Sequence, residues 1–492
     1  MINSILQEDK FQSRHLGPGS EELDAMLRVI GVDSLDTLID ETIPASIRMS
    51  TPLKLPPPVD EYKFLQRIRE VASKNKIFAS MLGQGYYNCI TPSVIQRNIF
   101  ENPGWYTQYT PYQPEISQGR LEALLNYQTM IIDMTGMQVA NASLLDEGTA
   151  AAEAMTMVYS IVNKNLDGLP RNRFFISEKC FAQTIDVIKT RAQVVGIDVV
   201  VGNHEKIDID GSYFGAMVQY PDEQGAIMDF RTFIAAVHDN GALAVVAADL
   251  LSLALITPPG EFGADVVVGS AQRFGIPMGY GGPHAAFFAT RSEFIRHMPG
   301  RIIGVSIDAQ NNKAYRMTLQ TREQHIRREK ATSNICTAEA LLAIMAGMFA
   351  VYHGPAGIRR IASRVHGLAK ILDAELRALG YKQSNQVFFD TLKIDAGKYT
   401  DAIHAAATSL GFNFRRIDVA HIGLSLDETT QFEDIFTVKE IFAHASHAPH
   451  HHEDLAGKYS SLKIDYPEPF HRTSPYLQHP IFSMYRSESE MM

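Results

Sequence analysis

The first chemical signal in this 492-residue chain lies where two hydrophobic runs end. A run over 242–248 stops at Asp249, and a second over 265–269 leads into Ser270-Ala271-Gln272-Arg273-Phe274-Gly275 and then the turn Gly279-Tyr280-Gly281-Gly282. In parallel α/β sheets, ligands sit at the carboxyl ends of the strands. An acid there, followed about 23 residues later by a short segment before a glycine-rich turn, has the spacing of a pyridoxal-phosphate (PLP) site. The acid would hold the pyridinium N–H, and the later segment would carry the Schiff-base lysine. Asp at a strand end is also a common cap or turn former, so Asp249 alone decides nothing. The expected lysine position holds Gln272. A carboxamide nitrogen is neither basic nor nucleophilic and cannot link to an aldehyde. The spacing belongs to a PLP scaffold; the side chain does not.

The segment Asn141-Ala142-Ser143-Leu144-Leu145-Asp146-Glu147-Gly148-Thr149-Ala150 enters a helix, where free N–H groups and the dipole favour a phosphate. Asp146 and Glu147 set carboxylates there instead. At ~4 Å and an effective dielectric near 20, each would cost about 4 kcal/mol against a phosphate charge. We therefore expect these acids to take the anion position themselves; the other reading is exposed acids in a first helical turn.

Two loops mix aromatic hydroxyls with amides. Met81-Leu82-Gly83-Gln84-Gly85-Tyr86-Tyr87-Asn88-Cys89 follows a glycine turn, and Trp105-Tyr106-Thr107-Gln108-Tyr109-Thr110-Pro111-Tyr112 continues the style. Such loops line polar pockets or interfaces, and they also pack as ordinary cover. The basic run Arg322, His325, Arg327, Arg328 and Lys330 is read as a solvated face pairing with Glu323 and Glu329, with anion binding as the alternative. His444, His447, His450, His451 and His452 lack accompanying cysteines and are read as an exposed loop, so no metal site is expected.

The elements that must position these residues follow from periodicity. Continuous apolar strands are expected over 174–177, 197–202, 216–220, 243–248, 265–269 and 285–289, with helices over 183–195 and 229–238. That alternation is a large α/β domain with a parallel sheet covered on both faces. Residues 1–60 read as a helical arm, with Ser20 capping a helix that Gly31 stops, and with a stiff Pro56-Pro57-Pro58 linker. Domains are placed at 1–60, 61–350 (large α/β), 351–446 (smaller α+β) and 447–492 (loop). A long helix is expected after Gly354-Pro355, then strands at 387–389, 412–417 and 422–426 and helices at 401–410 and 437–445.

A net charge of −10 and no Lys/Arg-rich tract argue against nucleic acid as a partner. The longest apolar run, 340–352, is shorter than the ~20 residues of a membrane span, and no secretory signal is visible. Three separated cysteines (Cys89, Cys180, Cys336) fit a reducing compartment, so a cytoplasmic protein without membrane contact is expected.

The strings Ser13-Arg14-His15-Leu16-Gly17-Pro18, Gly85-Tyr86-Tyr87-Asn88, Gln108-Tyr109-Thr110-Pro111-Tyr112-Gln113-Pro114-Glu115, Pro258-Pro259-Gly260-Glu261-Phe262-Gly263 and Ala331-Thr332-Ser333-Asn334-Ile335-Cys336-Thr337 together resemble the N-terminal half of the P-protein family of the glycine cleavage system. The resemblance implies a fold-type-I PLP-transferase-like large domain with a mainly parallel sheet, a smaller α+β domain and the N-terminal arm. It implies an enzyme that takes glycine onto PLP, decarboxylates it and passes the aminomethyl group to the lipoyl arm of H-protein. Two homologous halves build that enzyme, and the C-terminal half carries the lysine and the PLP. From this half the resemblance assigns Tyr86, Tyr87, Asn88, Arg14, His15 and Tyr109 to the shared pocket. Asp146, Glu147, Asp249 and Gln272 mark a degenerate site in which no catalytic residue or bound cofactor is expected. The stretch from His471 to Glu490 resembles the junction into a second half, as though a long single chain had been cut. The competing readings are a self-sufficient PLP decarboxylase or aminotransferase using another lysine, Lys330 being nearest, and a scaffold that docks lipoylated H-protein.

Overall fold

The computed structural model describes residues 15–49, 51–107, 111–164, 166, 168–281, 284–319, 339–449 and 454–492. It divides into Met1–Phe78 and Ala79–Met492. The first unit holds helices α1 (Ser20–Ile30), α2 (Leu35–Thr42) and α3 (Glu61–Ala72). Gly19, not Ser20, stands at the N-cap of α1, where its N–H donates to Glu22 Oε2 at 2.8 Å. Gly31 closes the helix with φ 85°, a left-handed turn that favours glycine. Ser34 and Asp60 cap α2 and α3 by accepting from Thr37 and Lys63 N–H. Helix α3 thus lies in the first unit, whereas the sequence boundary at 60/61 groups it with the large domain.

In the second unit seven strands form one sheet: β2 (Val139–Ala140), β3 (Arg173–Ser177), β4 (Asp198–Gly202), β5 (Tyr213–Tyr220), β6 (Leu243–Ala248), β7 (Val266–Ser270) and β8 (Ala286–Thr290). Their order is β2-β8-β7-β6-β5-β3-β4, parallel from β4 to β7 and antiparallel at β8. All six expected strands are present. Every residue of β5 is buried, because the sheet is covered on both faces. Phe175, Ala216 and Val218 enter the core shared with α4 (Gln118–Thr135). Phe174, Phe214 and Met217 enter the core under α5 (Glu147–Asn163) and α6 (Ala182–Val195). Each such aromatic stabilises the fold by roughly 1.5–3 kcal/mol through burial. Helix α7 (Arg231–Asp239) matches the remaining helical expectation.

The hairpin of β9 (Ile302–Ile307) and β10 (Lys313–Thr318) was not legible in the sequence. Helix α8 (Ala340–Ala378) is interrupted at Gly354 (φ 59°, ψ −179°), followed by Pro355. Part of it is apolar and long enough to cross a membrane, yet 61% of that window is buried inside the protein, as in a core helix. The smaller sheet joins β1 (Ala79–Met81), β11 (Lys382–Gln383), β12 (Thr391–Asp395), β13 (Phe412–Arg416) and β14 (His421–Ser425) in the order β1-β13-β14-β12-β11. Helices α9 (Thr400–Ser409) and α10 (Phe432–Ser446) pack with it. Val387, Phe388 and Phe389 are not a strand: Phe388 and Phe389 are buried, and the strand begins at Thr391. Residues from 454 onward are mostly loop, as expected, but they are docked, with Arg472 only 2% exposed.

Candidate functional site

Strand β1 belongs to the small sheet, so the loop that leaves it starts at the edge of the small domain and runs toward the strand ends of the large one. Gly83 (φ 66°), Gln84 (φ 61°) and Gly85 (φ 90°) turn it sharply. A Cβ on Gly83 would lie 2.1 Å from Ser425 Oγ, so glycine is required for both conformation and space. The loop then delivers Tyr87 onto Gln272, which follows the carboxyl end of β7.

The amide of Gln272 is fully engaged. Its Nε2 donates to Tyr87 O at 2.8 Å and to Ile276 O at 2.7 Å, and its Oε1 accepts from Tyr87 N–H at 3.2 Å. The residue is 2% exposed. Beside it the Nη1 of Arg273 donates to Asp249 at 2.7 Å and to Asp390 at 2.5 Å. The guanidinium lies 3.9 Å over the Tyr87 ring centroid, a cation–π contact. Burial pushes Asp390 up to about 6, opposed by Arg273 and reinforced by Asp249. Asn88 donates from its backbone N–H and its Nδ2 to Asp427, at 2.9 and 3.1 Å, and Ile90 N–H donates to Glu428. Burial, with Glu428 and Asp427 nearby, pushes the Cys89 thiol up to about 12, so it stays a thiol.

At the start of α5, Asp146 is the N-cap: its Oδ1 accepts from Thr149 N–H at 2.6 Å. Asp146 therefore takes the anion position, as one of the two readings expects. Glu147 departs from both. It is buried, accepts from Thr184 Oγ1 at 3.2 Å, and has its carboxyl pushed by burial up to about 8, so it is neutral at pH 7. Tyr86 faces outward at 39% exposure with its ring against His284, centroids 4.1 Å apart. Burial holds His284 near 4, neutral at physiological pH.

These residues do not fit PLP. The amine position is an amide already saturated by the chain. The acid that would hold a pyridinium N–H instead binds Arg273 and accepts from Ser252 N–H at 2.9 Å. The helix start that would cradle a phosphate carries a capping carboxylate.

The structure thus brings Tyr87 together with Asp249, Gln272 and Glu147, turns Asn88 to Asp427 instead, and leaves Tyr86 at the rim. His15 is an exposed residue of the first unit. Arg14, Tyr109, the run 322–330 and Cys336 lie outside the described residues. His444 lies on α10 rather than in a loop, exposed, and His447 ends that helix with φ 53°. Arg273, Asp390, Asp427, Glu428 and His284 were missed as site residues. Arg273 was visible next to Gln272; the three small-domain acids gave no signal, because only folding brings them back across 117 residues or more.

A family model described as "Glycine cleavage system P-protein" matches residues 13–442. The glycine dehydrogenase (decarboxylating) of a Nostoc species is 55% identical over 489 residues, covering 98% of this chain and 49% of the relative. That of Stutzerimonas stutzeri is 53% identical over 492 residues, covering 100% and 50%. The chain spans about half the length of the curated relatives it matches. A crystal structure of glycine decarboxylase (P-protein) of the glycine cleavage system, in inhibitor-bound form, superimposes with TM-score 0.79 at 33% identity. The match covers 88% of this chain and 99% of that one. A sphingosine-1-phosphate lyase from Burkholderia pseudomallei (TM-score 0.58, 12% identity) shares the fold alone.

Proposed function

This chain belongs to the glycine cleavage system P-protein family, and from that premise we propose that it is the half of a glycine dehydrogenase (decarboxylating) that lacks the cofactor lysine. The complete enzyme decarboxylates glycine with PLP and transfers the aminomethyl group to the lipoyl arm of H-protein. PLP belongs to the C-terminal half, and this half completes the pocket at their interface. The observation that supports this is Gln272: an amide stands in the lysine position and spends its hydrogen-bonding capacity on Tyr87 and Ile276. No step of the reaction is assigned to this chain's own cleft, whose side chains exclude the cofactor.

Its contribution is to position substrate. Tyr86, with an exposed ring, is the first candidate, joined by Arg14, His15 and Tyr109; Tyr87 and Asn88 hold the loop that presents it. Such groups orient the glycine carboxylate and keep water out of the shared pocket. The cytoplasm is the compartment we assign.

The test is glycine–bicarbonate exchange with lipoylated H-protein and PLP. The chain alone should give none, and adding the C-terminal half of a relative should produce it. Exchange by this chain alone, with PLP, would reject the proposal in favour of a self-sufficient enzyme.

A further inference from the structure

On the acid that would hold a pyridinium N–H sits a cation that belongs to the chain itself. Arg273, 5% exposed, follows Gln272 directly, and its Nη1 donates both to Asp249 at the end of β6 and to Asp390 just before β12. Asp249 belongs to the large domain and Asp390 to the small one, so a single nitrogen ties the two together. The guanidinium carbon lies 3.9 Å from the Tyr87 ring centroid and 5.4 Å from that of Phe389. Two carboxylates and two aromatic rings therefore enclose it. The space left over at the strand ends is about 30 Å³, room for a water or so. Arginine fills this half's cleft from within.

That filling has a consequence for the loop leaving β1. Gln272 holds the backbone of Tyr87, and Asp427 holds the next residue, Asn88, but neither fixes the direction of the Tyr87 ring. The guanidinium does, because a cation is attracted to the face of a ring rather than its edge. Two acids from different domains fix the guanidinium in turn, and its planar head, unlike an ammonium, can meet both and still stack. Tyr86 comes directly before Tyr87, with its ring against His284 and 39% exposed. A shift of Tyr87 is carried to Tyr86 through the single planar peptide between them.

We propose that Arg273 is a positioning residue: by seating the Tyr87 ring between the two domains, it sets where Tyr86 stands in the pocket shared with the second half. Its effect on the reaction passes through Tyr86. The proposal rests on the reading of Tyr86 given above.

The test is a double-mutant cycle on the full chain reconstituted with the C-terminal half of a relative, read by glycine–bicarbonate exchange. Arg273→Lys keeps a charge between the acids but gives up the stacked plane. It should lower exchange about tenfold in the unaltered chain, and change it less than about twofold when Tyr86→Ala is already present. A merely structural lesion would instead multiply the two losses. Should Arg273→Lys fail to fold, Tyr87→Leu takes its place in the same cycle, since it removes the ring and leaves both ion pairs. Losses that multiply, or a folded variant whose exchange is unchanged, would overturn the proposal. No exchange from the unaltered pair would instead reject the decarboxylase reading, and this proposal with it.

Discussion

The carboxamide of Gln272 serves as two donors and one acceptor at once, and a lysine ammonium offers no acceptor. Tyr87 is therefore clamped at both its N–H and its C=O by one side chain. Gln272→Leu keeps the volume but strands these groups and Ile276 O, and should cost at least about 1–3 kcal/mol in urea unfolding. An unchanged midpoint would mean the clamp is incidental. Glu147 is the second informative residue. Its folded pKa, about 8, lies above the ordinary value of 4.5, so the folded chain binds a proton the unfolded chain has lost. The stability this contributes is fully present below about pH 4.5 and drains away as pH rises to about 8. Glu147→Gln should gain on wild type across that window, on the order of 4 kcal/mol between its ends. Parallel stability–pH curves would contradict a buried neutral acid. At Tyr86 the effect belongs to function: Tyr86→Ala should leave the melting temperature nearly unmoved and lower reconstituted exchange about tenfold or more.

The element that makes the site is the loop leaving β1, because it ties the small sheet to the strand ends of the large one. Gly83→Ala would force a side chain into left-handed backbone and against Ser425, costing at least about 1–3 kcal/mol from the backbone alone. Loss of the loop's seat should show as faster amide exchange at Tyr87, whose N–H donates to Gln272. Elements like β5 and β6 were legible in the sequence because a parallel strand buried on both faces is a continuous apolar run. Gln272 was legible because strand-end spacing is local. The trio around Arg273 was not, since Asp390 reaches it only once two domains have closed on one another. Glu147 was misjudged because the first turn of a helix is normally wet, and here α6 covers it with Thr184. Val387, Phe388 and Phe389 look like a strand, yet they fill the core beside β12 without joining its ladder.

At the scale of the whole molecule, the chain's last segment is bound to the large domain. Arg472 donates to the carbonyls of Met134, Leu253 and Asp133 at 2.7–2.8 Å, and Thr257 N–H donates to Phe470 O. Arg472→Met should cost at least about 2 kcal/mol, because buried carbonyls lose a charged donor. The first unit offers the opposite picture. Leu27 is the buried residue of its three helices, while Met26, Val29, Tyr62, Phe64 and Val71 are each at least half exposed. Such a surface suits the arm expected from the sequence, and the relatives are about twice as long as this chain. The most direct measurement takes the purified chain with excess PLP, reduces it with borohydride and maps its peptides by mass spectrometry. No lysine should carry a pyridoxyl group in stoichiometric amount. A stable pyridoxyl-lysine, at Lys330 or elsewhere, would show that this half holds the cofactor after all.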